Sequence, residues 1–89
     1  MKKLRKNLGK KLKGLREAAG KSQSFMAKDA GYTTPQFVSN VERGIIPPSP
    51  KYIITLARHT ATTRSEMVGM LSKLYVARVN KEIKRYAKL

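Results

Sequence analysis

Three glycines, Gly20, Gly31 and Gly44, cut the first half of the chain into pieces about one short helix long. Each follows a stretch that can be helical, and helices often end on a glycine in the left-handed region. Ser22, Thr34, Ser49 and Thr63 each precede such a stretch, as N-caps do. Pro35 and Pro50 come directly after two of these caps, at the first helical position, where proline loses no hydrogen bond. Thr63 and Glu66 have the spacing of a capping box. No run alternates with period two for long enough to make a strand. The punctuation predicts an all-α chain.

It predicts five helices. The first runs from Asn7 to Ala19 with Leu8, Leu12 and Leu15 on one face, and the second from Gln23 to Ala30 with Met26, Ala27 and Ala30 apolar. The third runs from Pro35 to Arg43 and buries Phe37 or Val38, then Val41. The prolines of "IIPPSP" make a loop. The fourth helix runs from Pro50 to about His59, with Ile53, Ile54, Leu56 and Ala57 apolar. The fifth opens at Arg64 and meets no breaker, Gly69 being its weak point. Tyr32 and Tyr52 read as core or rim, Met67 and Met70 as core, and the lone His59 as a packing or surface residue.

Charge speaks to partners rather than to fold. Twenty Lys and Arg face five Asp and Glu, for a formal net charge of +15. Nucleic acid, an anionic membrane or an acidic protein would suit such a surface. Eighty-nine residues make one small domain. There is no cysteine, which removes disulfides, thiolate metal sites and a cysteine nucleophile. No apolar run approaches a membrane span, and the basic start carries no apolar stretch of a secretory signal, so the expectation is a soluble intracellular protein. No carboxylate pair or Ser/His/Asp set argues for catalysis, and no metal or cofactor is expected.

The segment from Ser22 to Glu42 reads as helix, short turn, helix. Its second helix carries "TPQ" and "SN", small polar residues that are poor in a helix interior and serve best on an outer face. In this segment "SQSFMAKDAGYTTPQFVSNVERGIIPPSPKYIITLA" resembles the helix-turn-helix of Cro/repressor-type (XRE-like) DNA-binding domains. Arg16, Gln23, Ala27, Gly31, Ser39-Asn40, the "ERG" of Glu42 to Gly44, Pro48-Ser49 and Leu56-Ala57 carry the resemblance, over roughly residues 8 to 68. Between Gly31 and Glu42 the chain is one residue longer than the commonest family pattern, and the extra residue falls in "YTTP".

The resemblance implies a lambda-repressor-like five-helix domain over residues 7–70, with a basic arm at 1–6 and an extension at 71–89. It implies a sequence-specific regulator of transcription, a repressor, that is cytoplasmic and bacterial or phage-encoded. Thr34, Gln36, Ser39 and Asn40 fall to base reading, because amide side chains suit bidentate contact with adenine. Ser22, Gln23, Arg43, Lys51, Lys2, Lys3, Arg5 and Lys6 fall to phosphate contact. Arg16 and Glu42 fall to a structural ion pair. Double-stranded DNA is the implied partner, and a regulatory or toxin protein can be a second. A basic RNA- or ribosome-associated protein, and an antitoxin or adaptor, are the alternatives.

Beyond the family domain, Leu71, Tyr75, Val79, Ile83 and Tyr86 recur every three or four residues among lysines and arginines. A stripe of this kind predicts a homodimer surface.

Overall fold

The computed structural model describes residues 2–87, and all of its regular elements are helices. Helix α1 spans Lys2–Ala18, α2 Gln23–Asp29, α3 Gln36–Glu42, α4 Pro50–Arg58 and α5 Arg64–Ala87. The core gathers Leu8, Leu12, Met26, Ala27, Ala30, Val38, Val41, Tyr52, Ile53, Leu56 and Met70. Every helix contributes to it, and α1 packs on α3, α2 on α3, and α4 on α1, α2 and α5.

Local chemistry sets the boundaries. Ser22 accepts a hydrogen bond from the Phe25 amide, Ser49 from the Tyr52 amide, and Thr63 from the Glu66 amide while the Glu66 carboxylate reaches back to the Thr63 N–H. At the other ends α1, α2 and α3 close in the same way. The Gly44 N–H donates to Val41 O and the Ile45 N–H to Asn40 O, and Gly44 has φ +76°. Gly20 and Gly31 take the same place behind α1 and α2. This is the Schellman closure, and its left-handed residue is why glycine stands there.

Two helices start elsewhere than the sequence implies. Helix α1 begins at Lys2, so residues 2–6 form its first turns and not a separate arm. Packing decides this against composition. Leu4 is half-buried on the core, and the backbone of Lys6 lies so close to Gly44 that a Cβ there would come within 2.8 Å of Lys6 Cα. Helix α3 begins at Gln36, with Pro35 at the cap position and no side-chain cap. Thr34 sits in the turn, its hydroxyl 3.4 Å from the Gln36 amide. The additional residue of "YTTP" lengthens the turn and pushes the helix start along. Ile54 is exposed, while Tyr52 takes its expected share of burial and is wholly enclosed.

Helix α5 is unbroken through Gly69 and 24 residues long, about 36 Å at 1.5 Å per residue. Its first turns bury Met70 and half-bury Met67, Leu71 and Leu74 on the core. The packed domain therefore extends past residue 70, with Leu71 half-buried against it. Further on, Tyr75, Val76, Ile83 and Tyr86 are exposed.

Gly9 was not singled out by any sequence signal, yet it lets α1 touch the end of α3. A Cβ on Gly9 would overlap the carbonyl oxygen of Val41 and stand 2.7 Å from that of Glu42. Gly14, on the same helix, has nothing within 4 Å. Alanine has the better helix propensity at both sites, by about 1 kcal/mol. Gly14→Ala therefore raises the melting temperature by several degrees. Gly9→Ala lowers it, because two backbones must separate at a cost of about 1–3 kcal/mol. Thermal melts of the two variants check both directions.

Candidate nucleic-acid interface

Helix α3 has seven residues, too few to hold together alone in water. Three separate contacts fix it. The first is ionic. Arg16 donates to both carboxylate oxygens of Glu42, from Nε at 2.6 Å and from Nη2 at 3.0 Å. Gln23 Nε2 donates to the same carboxylate at 2.9 Å, and Arg16 Nη1 donates to Lys21 O at 2.8 Å. The side chains of Arg16 and Glu42 keep only 9% and 3% of their surface in contact with solvent. The hydrogen bond to Glu42 pushes the Arg16 pKa above its ordinary value, against the loss of water, which acts to lower it. The knot joins α1, α2 and α3.

Gln23 is thereby turned inward. Its Nε2 is engaged with the ion pair, while the residue itself is only half-buried at the start of α2. The residue-type signal pointed to a polar position at the start of α2, but not to which way the amide turns.

The second contact is aromatic. Tyr32 stacks on Phe37 with ring centroids 4.1 Å apart, and Phe37 meets Tyr52 edge-on at 6.1 Å. The Tyr32 hydroxyl pairs with Ser49 Oγ at 2.9 Å, and Lys51 Nζ lies 5.2 Å from the Tyr32 ring centre. The lengthened turn is thus tied to the start of α4. The third contact is the close approach of α1 through Gly9 and Gly44.

Held in this way, α3 turns Val38 and Val41 to the core and the polar residues away from it. Gln36, Asn40 and Arg43 form one row at i, i+4 and i+7. Gln36 Nε2 donates to Asn40 Oδ1 at 3.0 Å, and Arg43 Nη2 donates to the same oxygen at 2.7 Å. Ser39 and Asn40 are half-buried, while Thr34, Gln36 and Arg43 are exposed. Basic residues stand at both ends of the helix. Lys51 lies beside Gly31 and Tyr32 at the turn, and Lys6 lies against Gly44 at the far end. Lys2, Lys3 and Lys6 are exposed on the first turns of α1, and Arg5 is half-buried with its Nε lacking a hydrogen-bond partner. Ser22, at the start of α2, is exposed.

A family model described as a helix-turn-helix domain matches residues 7–68, more than half of the chain. The chain belongs to that helix-turn-helix family. No curated protein and no solved structure matches it. Helix-turn-helix domains serve DNA-binding regulators, and that coarse function goes with membership. In this helix-turn-helix domain α2 is the first helix of the motif and α3 the second, the one that enters the major groove in such proteins. No helix among the described residues is long and apolar enough to cross a membrane.

His59 and Tyr52 take no part in the polar row of α3. His59 Nε2 meets Asp29 Oδ2 at 2.6 Å, and its ring stands edge-on to Phe25 at 5.2 Å. Tyr52 is fully buried and its hydroxyl has no hydrogen-bond partner.

Two outcomes follow from this geometry. Glu42→Gln leaves Arg16 buried without a counter-charge, which costs about 3–5 kcal/mol, a large share of what a small domain has. Denaturant unfolding reads it, and a loss below about 1 kcal/mol would mean that the pair does not hold α3. Burial, helped by the Glu42 charge and opposed by Arg16, pushes the Tyr52 hydroxyl up to about 12. The unfolded chain gives up that proton near 10.0, so folding stability falls as pH rises from about 10 to about 12. In Tyr52→Phe the fall across that window is shallower, and the variant is no less stable than wild type at pH 7, since it loses only an unpaired hydroxyl.

Proposed function

We propose that this helix-turn-helix domain binds double-stranded DNA in a sequence-dependent manner and represses transcription, with α3 in the major groove. The observation that carries the reading is the polar row Gln36–Asn40–Arg43. It lies on a helix fixed to the core by its other face and flanked at both ends by lysines, in a chain of net charge +15. Base contacts come from Thr34, Gln36, Ser39 and Asn40. Phosphate contacts come from Ser22, Gln23, Arg43, Lys51 and the α1 residues Lys2, Lys3, Arg5 and Lys6. The helical form of residues 2–6 supports this, because it fixes these charges on the first turns of α1, with Lys6 against Gly44 at the end of α3. Positive charges at a helix N-terminus oppose the macrodipole at a few tenths of a kcal/mol each, and neighbouring phosphates offset that cost. The site of action in this reading is the cytoplasm, and no enzymatic step is part of it.

The domain acts as a homodimer in the same reading. Tyr75, Val76, Ile83 and Tyr86 are exposed on an α5 that continues beyond the packed domain. Helix-turn-helix dimers bind two half-sites about one helical turn apart. Lys73, Arg78, Lys81, Lys84 and Arg85 lie on the same part of α5, so two copies repel until phosphate neutralises them. A dimer that forms more readily on DNA is the consequence.

Selection of bound sites from a random duplex library tests the central claim. A defined motif is expected, bound in preference to RNA and anionic vesicles; recovery of no motif, or equal binding by RNA, would sink it. Asn40→Ala lowers binding to the selected site far more than binding to arbitrary duplex. Affinity falls with salt by about 0.9 in log K per log salt for each phosphate contact. Lys2→Gln, Lys3→Gln and Lys6→Gln each flatten that slope by up to about this amount and leave the selected motif unchanged.

Sedimentation on a palindromic site checks the dimer. Wild type sediments as a dimer there, and a Val79→Lys, Ile83→Lys variant does so less well. Equal behaviour of the two would assign the end of α5 to something else.

A further inference from the structure

The row on α3 contains more bonding than a set of independent base readers needs. Asn40 Oδ1 receives Gln36 Nε2 at 3.0 Å and Arg43 Nη2 at 2.7 Å. A carbonyl oxygen has two lone pairs, so that acceptor is full. The assignment of oxygen to this position follows from the chemistry of arginine, which has donors and no acceptor. Bidentate recognition of adenine by asparagine needs the same oxygen free to accept from the base amino group. In this arrangement Asn40 has only its amide N–H groups to offer outward.

Arg43 is placed the opposite way. Nε points to Ser39 O at 3.4 Å, and Nη2 bonds Asn40. Both lie on the side edge of the guanidinium, so the end edge, made by Nη1–H and Nη2–H, stays free. Two parallel donors of this kind fit the O6 and N7 acceptors of guanine. The origin of the side chain is fixed as well. Arg43 caps α3, and the Schellman closure through Gly44 and Ile45 follows it directly. The guanidinium is folded back on the outer face of α3, in line with Gln36. It does not reach toward Lys6 or Lys51, which flank the helix. Gln36 keeps its own Oε1 and one amide hydrogen free, so it retains an edge for a base.

We propose that Arg43 reads a guanine in the major groove, and that Asn40 is a positioning residue that aims its guanidinium. The assignment rests on the duplex-binding reading above and changes the parts of Asn40 and Arg43 within it. The pair acts as one unit. Loss of either member has the same effect on base choice, and loss of both has no more. Arg43 is exposed, Asn40 is half-buried, and neither belongs to the core cluster, so the fold is retained.

The test is selection from a random duplex library with the full chain and four variants, each first checked by thermal melting. The wild-type motif contains a guanine. Arg43→Ala and Asn40→Ala relax the same guanine, each by about 5- to 150-fold, the range of one bidentate base contact. The double variant relaxes it no further. Asn40→Asp keeps an acceptor for Arg43, so it lowers affinity for all duplexes but retains the guanine preference. An asparagine that read adenine would instead lose its preference in Asn40→Asp. Two results overturn the assignment while leaving sequence-specific binding in place. One is an Arg43→Ala protein that binds every sequence more weakly by one factor with its motif unchanged, as a phosphate contact requires. The other is an Asn40→Ala protein that loses an adenine which Arg43→Ala retains. A wild type that selects no motif overturns both this assignment and the reading beneath it.

Discussion

The carboxylate of Glu42 is the point on which the arrangement turns. It accepts two hydrogen bonds from Arg16 of α1 and one from Gln23 of α2, and it stands at the last residue of α3. The long α1 and the short α2 and α3 are thereby set at one relative angle. Burying these charges is costly, and the cost is offset only because the guanidinium and carboxylate meet edge to edge and their remaining groups find Gln23 and the Lys21 carbonyl. An apolar cluster in the same place could be as stable. It would not fix the roll of α3 about its axis as a bidentate pair does. For a helix that must offer particular side chains to a groove, roll is the quantity that matters.

Two further braces reach α3 from either end. Tyr32, Phe37 and Tyr52 stack the lengthened turn against α4, and the hydroxyl of Tyr32 ties it to the cap residue Ser49. At the opposite end Gly9 and Gly44 allow α1 to lie directly on the backbone of α3. Both braces bring positive charge with them, Lys51 in one case and Lys6 in the other. The contacts that make α3 rigid are therefore also those that place cations beside it. Folding and the attraction of an anionic partner draw on the same residues.

Much of this was legible in the sequence. Caps at Ser22, Ser49 and Thr63 and the left-handed glycines are local, and local chemistry is written in local sequence. The start of α1 was not. Residues 1–6 read as a basic arm, and the contacts that go with their helical form, Leu4 on the core and Lys6 on the distant Gly44, are not local. Thr34 looked like a cap because a proline follows it, yet the longer turn moved the helix start to Gln36. Gly9 gave no signal at all, since its reason lies in Val41 and Glu42, more than thirty residues on. Of the polar face, residue types could be named from the resemblance. The bonding of Asn40 to both Gln36 and Arg43 could not, because helix register brings the three together while rotamers decide which atoms meet.

In the proposed function α3, with Lys6 and Lys51 at its ends, is the surface that meets DNA, and the far part of α5 makes contact between copies. Backbone amide shifts of the labelled protein, followed as a selected duplex is added, separate these surfaces in one experiment. The largest changes are expected at Thr34 to Arg43, near Lys6 and near Lys51, with those at Tyr75 to Tyr86 smaller and lost when the duplex is shortened to one half-site. If instead α3 is undisturbed and the changes gather on Tyr75 to Tyr86, the polar row is not the contact surface and the account is wrong.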